Sequence, residues 1–550
     1  MVKHLNEEKM KKHLMNRLTI KLFCTVFLLS FAFSCTDDFM EINTNKTTFM
    51  KLSPKEYGEL FARAVQSGVA WQSTDNMSRM SSTLALHNAG YTACGIQAYD
   101  QYQQSLGWQN SGFKDVYVDV IPSLTSIMNV AKEAGDNDVY NVAMIWKVYQ
   151  LQRITDIWGP AAYTFAGTGA ESIPYDSQKD IYYMMFDDLT SAVTALSESL
   201  AKNPNLNVFG TNDRIYSGSV DKWVRLANTL RLRMAIRISN IDPAKAKLEG
   251  EAAVAAGRMM ETNDHDALYK TAGLDGEGNG MPRMESFFQD IMSINMESLL
   301  KGYSDPRMEE FWSPVVDDIT LRNAPAEYRS NIGGYHGFAS GSEPTEYLYF
   351  KAFSKYGPRF KDGNQLVTPI NMMNAAEAWF LKAEGAWRGW NMGGAAQSFY
   401  EKGIEISIKQ WKGASYSQSL ISEYINNTAT PVAPENTPYL DGPMTNIPVK
   451  FSSDQTVQYE QIMTQKWLAL FPVGFEAWAE YRRTRLPKLY AKKYSVNANI
   501  NPQAGQIQTR CVFVKDEYSA NAAEVEKAKS LITGGVDIET APLWWDVNPN

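Results

Sequence analysis

The chain of 550 residues is 44% apolar and 12% aromatic with 21% charge, a composition that buries a large core and excludes a disordered tail. Its formal charge is −8; the first 34 residues carry +4, so the rest carries −12, and an acidic body of this kind repels phosphate and excludes a nucleic-acid partner. The four Cys are too few for a disulfide-stapled fold of this size.

At the start, Lys9, Lys11, Lys12, Arg17 and Lys21 precede an apolar run from Leu22 to Phe33. That run is too short to span a bilayer and right for the core of a signal peptide. The long basic stretch leaves Met10 and Met15 as alternative starts. The run ends in Ala32-Phe33-Ser34-Cys35. A small residue directly before a Cys lets a peptidase cut there, after which the thiol takes a diacylglyceryl group, and several acyl chains hold a protein firmly to a membrane. Cys35 is therefore the expected lipidation site, with a signal peptide over 1–34 and a lipidated tether over 35–50; a secretory signal cut elsewhere is the alternative. No later segment is long and apolar enough to be a membrane helix. Cys94 and Cys511 remain in the body, either as a pair formed in an oxidising compartment or as two buried thiols.

From residue 51 the chain reads as helix after helix. Ile181, Met185, Leu189, Ala192 and Leu196 recur at helical steps within Asp180–Leu200. Trp223, Ala227, Leu230 and Met234 do the same, as do Met372, Ala376, Trp379, Phe380, Ala383 and Trp387. Ile462, Trp467 and Leu470 open another helix, and Gly474 interrupts before Phe475–Arg483. Ala and aromatics at the contact positions (Trp379, Ala383, Tyr400) resemble tetratricopeptide packing, although no clean repeat of about 34 residues is present. Between about 262 and 369 the helical period fades and Gly, Pro, Asn and Asp become dense, yet aromatics persist, which marks an ordered, loop-rich insertion. Further irregular stretches run over about 428–453 and 494–515.

Catalytic chemistry finds little footing. Of the three His beyond the signal, His87, His265 and His336, none has the i, i+4 partner of a zinc helix, and no metal or cofactor is expected. Asp275-Gly276-Glu277-Gly278-Asn279-Gly280 has the alternating oxygens of a calcium loop but lacks the closing Glu, so it reads as a solvated turn. A glycosidase needs two carboxylates across a cleft; Glu377 and Glu384 lie two turns apart on one helix face and read as solvated or scaffold-pairing groups.

In order along the chain stand Thr155-Asp156-Ile157-Trp158-Gly159, Pro174-Tyr175-Asp176, Asp187-Asp188-Leu189, Ala227-Asn228-Thr229-Leu230-Arg231, Asp305-Pro306-Arg307, Ala376-Glu377-Ala378-Trp379-Phe380, Gly474-Phe475-Glu476-Ala477-Trp478, Arg482-Arg483-Thr484 and Trp544-Trp545-Asp546. Taken together this series resembles the SusD/RagB nutrient-binding outer-membrane lipoproteins, in the SusD-like branch that ends in Trp-Trp-Asp. Departures are local: Gly159-Pro160-Ala161-Ala162-Tyr163 replaces a Gly-Asp-x-Pro-Tyr, and Phe513-Val514 replaces a Tyr-Pro. Thr36-Asp37-Asp38 after the Cys looks like the acidic export tag of such lipoproteins.

The resemblance implies an all-α fold of tetratricopeptide-like helix pairs, a superhelical scaffold over 51–550 carrying the loop-rich, ligand-facing insertion. It implies a non-enzymatic surface protein that captures oligosaccharides or peptides. Its implied partner is a SusC-like TonB-dependent transporter of the outer membrane, over which it closes as a lid. Most of the family motifs read as structural: Asp305 to Arg307 and Arg482 to Thr484 as loop and ion-pair anchors, Asn228 as a bond to a neighbouring loop. Sugars offer apolar ring faces and hydroxyl edges, so aromatic platforms with nearby amides suit them. Trp71, Asn76, Trp108 and Asn110, with Trp312, Tyr335 and His336 in the insertion, are the candidate contacts. A surface glycan hydrolase and a non-transport adhesion lipoprotein are the alternatives.

Overall fold

Short polar side chains fix where the long helices begin. Ser177, Asp242, Asn374 and Asp454 each accept a backbone N–H from the first turn that follows, pairing donors that a helix start leaves free. The structure, a computed structural model, describes residues 53–548 apart from 74, 91–98, 104–105, 272–277, 285–289, 343–348, 362 and 436–441. The signal, Cys35, the tether and the first half of the calcium-like turn therefore lie outside the described residues. Pro54–Asn550 forms one compact unit.

The first half is a run of helices: α1 (Tyr57–Ser73), α2 (Asp75–Leu84), α3 (Leu106–Lys114), α4 (Ile121–Ala134), α5 (Asn137–Trp158), α6 (Gln178–Lys202), α7 (Val220–Arg237) and α8 (Pro243–Ala255). From α4 to α8 each helix packs on the next. The connection from α4 to α5 turns at Gly135, whose φ of 76° suits a residue without Cβ. The stripes expected from spacing are buried: Ile181, Met185, Leu189, Ala192 and Leu196 on α6, and Trp223, Ala227, Leu230 and Met234 on α7. Asn228 donates to Gly257 O at 2.9 Å, tying α7 to the loop after α8 as its buried amide requires.

After the insertion come α10 (Ala375–Trp387), α11 (Ala396–Lys412), α12 (Gln418–Ile425), α13 (Gln455–Ala469) and α14 (Gly474–Thr484), then the short α15 (Lys515–Ala520) and α16 (Ala522–Lys529). Helices α10 and α11 approach so closely that a Cβ on Gly403 would lie 2.9 Å from the Phe380 ring. Met372, expected on the α10 stripe, belongs instead to a strand, because Asn374 caps the helix after it.

Strand is confined, among the described residues, to two small antiparallel pairs. β1 (Asn88–Ala89) pairs with β3 (Ile291–Met292) in the register Asn88↔Met292, and β2 (Ala267–Tyr269) pairs with β4 (Ile370–Met373). β1 thus pins the insertion to the end of α2. The insertion closes an apolar cluster over Ala89 of β1, with Ile291, Val315, Leu321, Phe338 and Phe353. It also holds a helix that spacing did not disclose, α9 (Ile294–Gly302).

The centre of the scaffold is ionic. Arg233 grips Glu377 through two bonds of 2.6 and 2.7 Å. Glu476 takes Arg153 at 3.1 Å and Arg237. Glu480 takes Arg237 at 2.8 Å, Lys466 at 2.7 Å and Arg483 at 2.6 Å. Arg483 returns to Glu384 at 2.7 Å, and Arg237 lies 3.5 Å from Asp156. Five cations thus face five carboxylates at the meeting of α5, α7, α10, α13 and α14. Burial opposes the charge on Glu476, and Arg233, Arg237 and Arg153 overcome it and hold the carboxyl at about 2. Glu377 and Glu384 are fully buried scaffold partners, not solvated groups. Arg307, likewise, lies against Asp305 at 2.6 Å in a buried pair.

Candidate ligand-binding face

After α2 the chain turns through Leu86, at φ 61°, and enters β1. That turn lays the segment after α2 beside the insertion. Arg79 on α2 is buried and donates from Nε to Asp290 Oδ1 at 2.9 Å. Gly90 closes on this pair, since a Cβ there would stand 3.1 Å from Arg79 and 3.3 Å from Asp290. Beside it, Asp100 Oδ2 accepts from Gly341 N at 2.8 Å, and Gln101 donates to Ser342 O at 2.7 Å. A third remote stretch completes the floor. Lys492 Nζ donates to Tyr99 O at 3.0 Å, stands 3.7 Å from Asp100 Oδ1 and lies 4.8 Å from the centre of the Tyr102 ring. Val496 N donates to Gln101 O at 3.0 Å.

Burial pushes the Asp290 carboxyl up to about 7 against the pull of Arg79. Burial likewise draws the Lys492 ammonium down to about 8 against the pull of Asp100. Two bases and two acids thus meet here as two buried pairs. Arg79, Asp100, Asp290 and Lys492 are all buried, so the cluster locks the segment after α2 to the insertion and offers no face of its own to a ligand. Tyr356, whose ring stacks on Trp312, also lines a groove of about 410 Å³ with Val316, Asp318, Lys351 and Lys355.

The residues expected to touch ligand fare differently. Trp71 has no exposed surface; its Nε1 donates to Gln150 at 2.8 Å and its ring lies 5.7 Å from Phe475. Trp312 also has none and stacks on Tyr356 at 5.1 Å. Both are packing residues with no face left for a sugar, which corrects the expectation for them. Asn110 is half-buried and exchanges bonds of 2.7 and 3.0 Å with Asp516, fastening α3 to α15. Asn76 and Trp108 sit on α2 and α3, their side chains outside the described residues. Tyr335 is half-buried on the insertion.

His336 is buried in an ion cluster, with Nδ1 3.6 Å from Glu297 Oε1 and 3.9 Å from Glu435 Oε2. Burial, and then Lys301, hold its pKa down to about 4, so the ring is neutral at pH 7. Cys511 is a free buried thiol, raised to about 12 by burial, with its sulfur 3.9 Å from Met80 Sδ. Cys94, its candidate partner from the sequence, lies outside the described residues. Sequence reasoning missed Arg79, Asp100, Asp290 and Lys492, which no local spacing connects.

A family model described as SusD-like, Susd and RagB outer membrane lipoprotein, matches residues 41–546. The chain belongs to the SusD-like family. Among solved structures, this SusD-like chain is similar to a chitin-binding SusD homologue from Flavobacterium johnsoniae. The identity is 31%, the TM-score 0.77, and the match covers 90% of this chain and 99% of the other. A SusD-like protein from Bacteroides thetaiotaomicron VPI-5482 matches at 29% identity and TM-score 0.76, with 90% and 99% covered. A further chitin-binding protein matches at 27% and 0.72, with 89% and 99% covered. No curated protein matches.

The SusD-like motifs meet inside the scaffold. Asp156 of the first accepts from Tyr182 at 2.6 Å and from Trp545 of the last at 2.9 Å. Arg482 of the penultimate donates to Asp156 O at 2.8 Å. No helix among the described residues is long and apolar enough to cross a membrane.

Proposed function

We propose that this SusD-like lipoprotein, anchored through acylated Cys35 and facing the cell exterior, captures oligosaccharides and delivers them as a lid to a partner TonB-dependent transporter. Chains of N-acetylglucosamine, as in chitin, are the ligand class. The observation that carries this reading is the end-to-end likeness to a chitin-binding homologue at 31% identity. Trp108, Asn76 and Tyr335 remain the proposed contacts. The protein binds without cutting. Glu377 and Glu384, the carboxylate pair that spacing offered, are both locked to arginines.

Titration calorimetry of the purified protein against chitin oligosaccharides, cellulose oligosaccharides and peptides tests the cargo. Saturable heat with the first set alone is expected. Heat only with peptides replaces the cargo, and silence across all sets removes capture. Product analysis after long incubation is expected to show no shortened chains. Radiolabelled palmitate incorporation, surface protease sensitivity and co-purification of a barrel transporter test the anchor, the outward orientation and the partner.

A further inference from the structure

Away from the floor, three segments remote in sequence bring metal-binding atoms together. Glu297 lies on α9, His336 on the insertion segment that runs beside β3, and Glu435 in the long loop after α12. One ligand atom from each lies within 4.8 Å of the other two. The His336 Nδ1 is buried without a hydrogen-bond partner, in a residue only 5% exposed, and it points at Glu297 Oε1 and Glu435 Oε2 from 3.6 and 3.9 Å. Donors around a tetrahedral zinc ion sit about 2.0–2.2 Å from it, hence about 3.4 Å from one another. The two spacings from His336 are thus within about half an ångström of that arrangement, and the two carboxylates lie within 4.8 Å of each other. The same two carboxylate oxygens already receive the Lys301 ammonium, at 2.9 and 3.1 Å. Two carboxylates against one ammonium and a neutral imidazole leave one negative charge in excess.

We propose that Glu297, His336 and Glu435 form a divalent transition-metal site of the zinc class, and that Lys301 holds the cation's place when no metal is bound. The Lys301 side chain is partly exposed, so it can leave for solvent without burying its charge. An imidazole donor selects zinc-like ions over calcium or magnesium, which take oxygen. Three protein donors leave a fourth position open for water. The bound metal fastens the loop ending at Glu435 to α9, where Glu435 N already donates to Glu297 at 3.2 Å.

The test uses the full chain, stripped with a chelator and titrated with Zn²⁺, Ca²⁺ and Mg²⁺ by competition with a chromophoric chelator. One equivalent of Zn²⁺ is expected to bind, with no binding of the other two. H336A and E435Q are each expected to weaken it at least tenfold, and K301M to tighten it. Glu435 is exposed, so E435Q keeps the fold and carries the test even if H336A does not fold. Absence of stoichiometric zinc binding by the wild type, or binding unchanged in E435Q, overturns the proposal. So does a calcium preference.

Discussion

Replacing Glu476 by Gln removes one carboxylate from the buried ionic centre and leaves Arg153, Arg233 and Arg237 without their shared partner. The Glu476 carboxyl ionises at about 2 in the folded protein and at 4.5 as a free group. A carboxyl with a depressed folded value stabilises the fold above the unfolded value and loses that contribution as pH falls through the folded one. The gap is worth about 3 kcal/mol, and breaking a buried ion pair from one side costs about 3–5 kcal/mol. A body of roughly 500 residues, at about 2 cal/mol/K of unfolding entropy each, moves its Tm by about 1 °C per kcal/mol. Scanning calorimetry of E476Q at pH 7 is therefore expected to show a Tm lower by about 3–5 °C. The window runs from pH 4.5 down to about 2, so the two proteins are expected to converge near its lower end. A Tm within 1 °C of wild type at pH 7, or a gap that persists unchanged at pH 2, would refute this account of the centre.

The remaining predictions concern packing and capture. G403A places a methyl 2.9 Å from the Phe380 ring, and overpacking of this kind costs about 1–3 kcal/mol, read as a lower urea midpoint with an unchanged far-ultraviolet spectrum. N228A leaves the Gly257 carbonyl unpaired and is expected to cost about 1–3 kcal/mol by the same measurement. W71A is expected to cost about 3–5 kcal/mol of stability, while W71F, milder, leaves chitin-oligosaccharide affinity within twofold. W108A is expected to leave the urea midpoint in place and lower that affinity at least tenfold by calorimetry; equal affinity removes Trp108 from the proposed contacts.

Helix faces were readable where one side of the helix meets water. The stripe on α6 alternates with exposed polar positions, and the 3.6-residue period follows from that contrast; on α7 the apolar stripe stands out against Arg231, Arg233 and Arg237, which are buried in ion pairs instead. α9 hid because residues 291–300 are buried on every side, so no period was left to detect. Met372 was misplaced because a buried strand running straight into a capped helix keeps apolar residues in phase with the stripe beyond it. The aromatic candidates misled for a related reason. A Trp in a scaffold and a Trp on a ligand platform look alike in a sequence, and Trp71 and Trp312 went to the core. The floor of the face was illegible because Arg79, Asp100, Asp290 and Lys492 meet only after the chain has folded. The anchor motifs were legible because they serve the scaffold, where Asp156 and Trp545 join the two ends of the series.

The ionic centre also matters before the protein has folded. Its ten charged side chains are spread from Arg153 to Arg483, and each is displayed to water until the helices close. An interior made wholly of leucine and phenylalanine would make the nascent polypeptide sticky along its length. By hiding salt rather than oil at the point where five helices meet, the chain shows less apolar surface in its unfolded state than an all-apolar centre of the same size would.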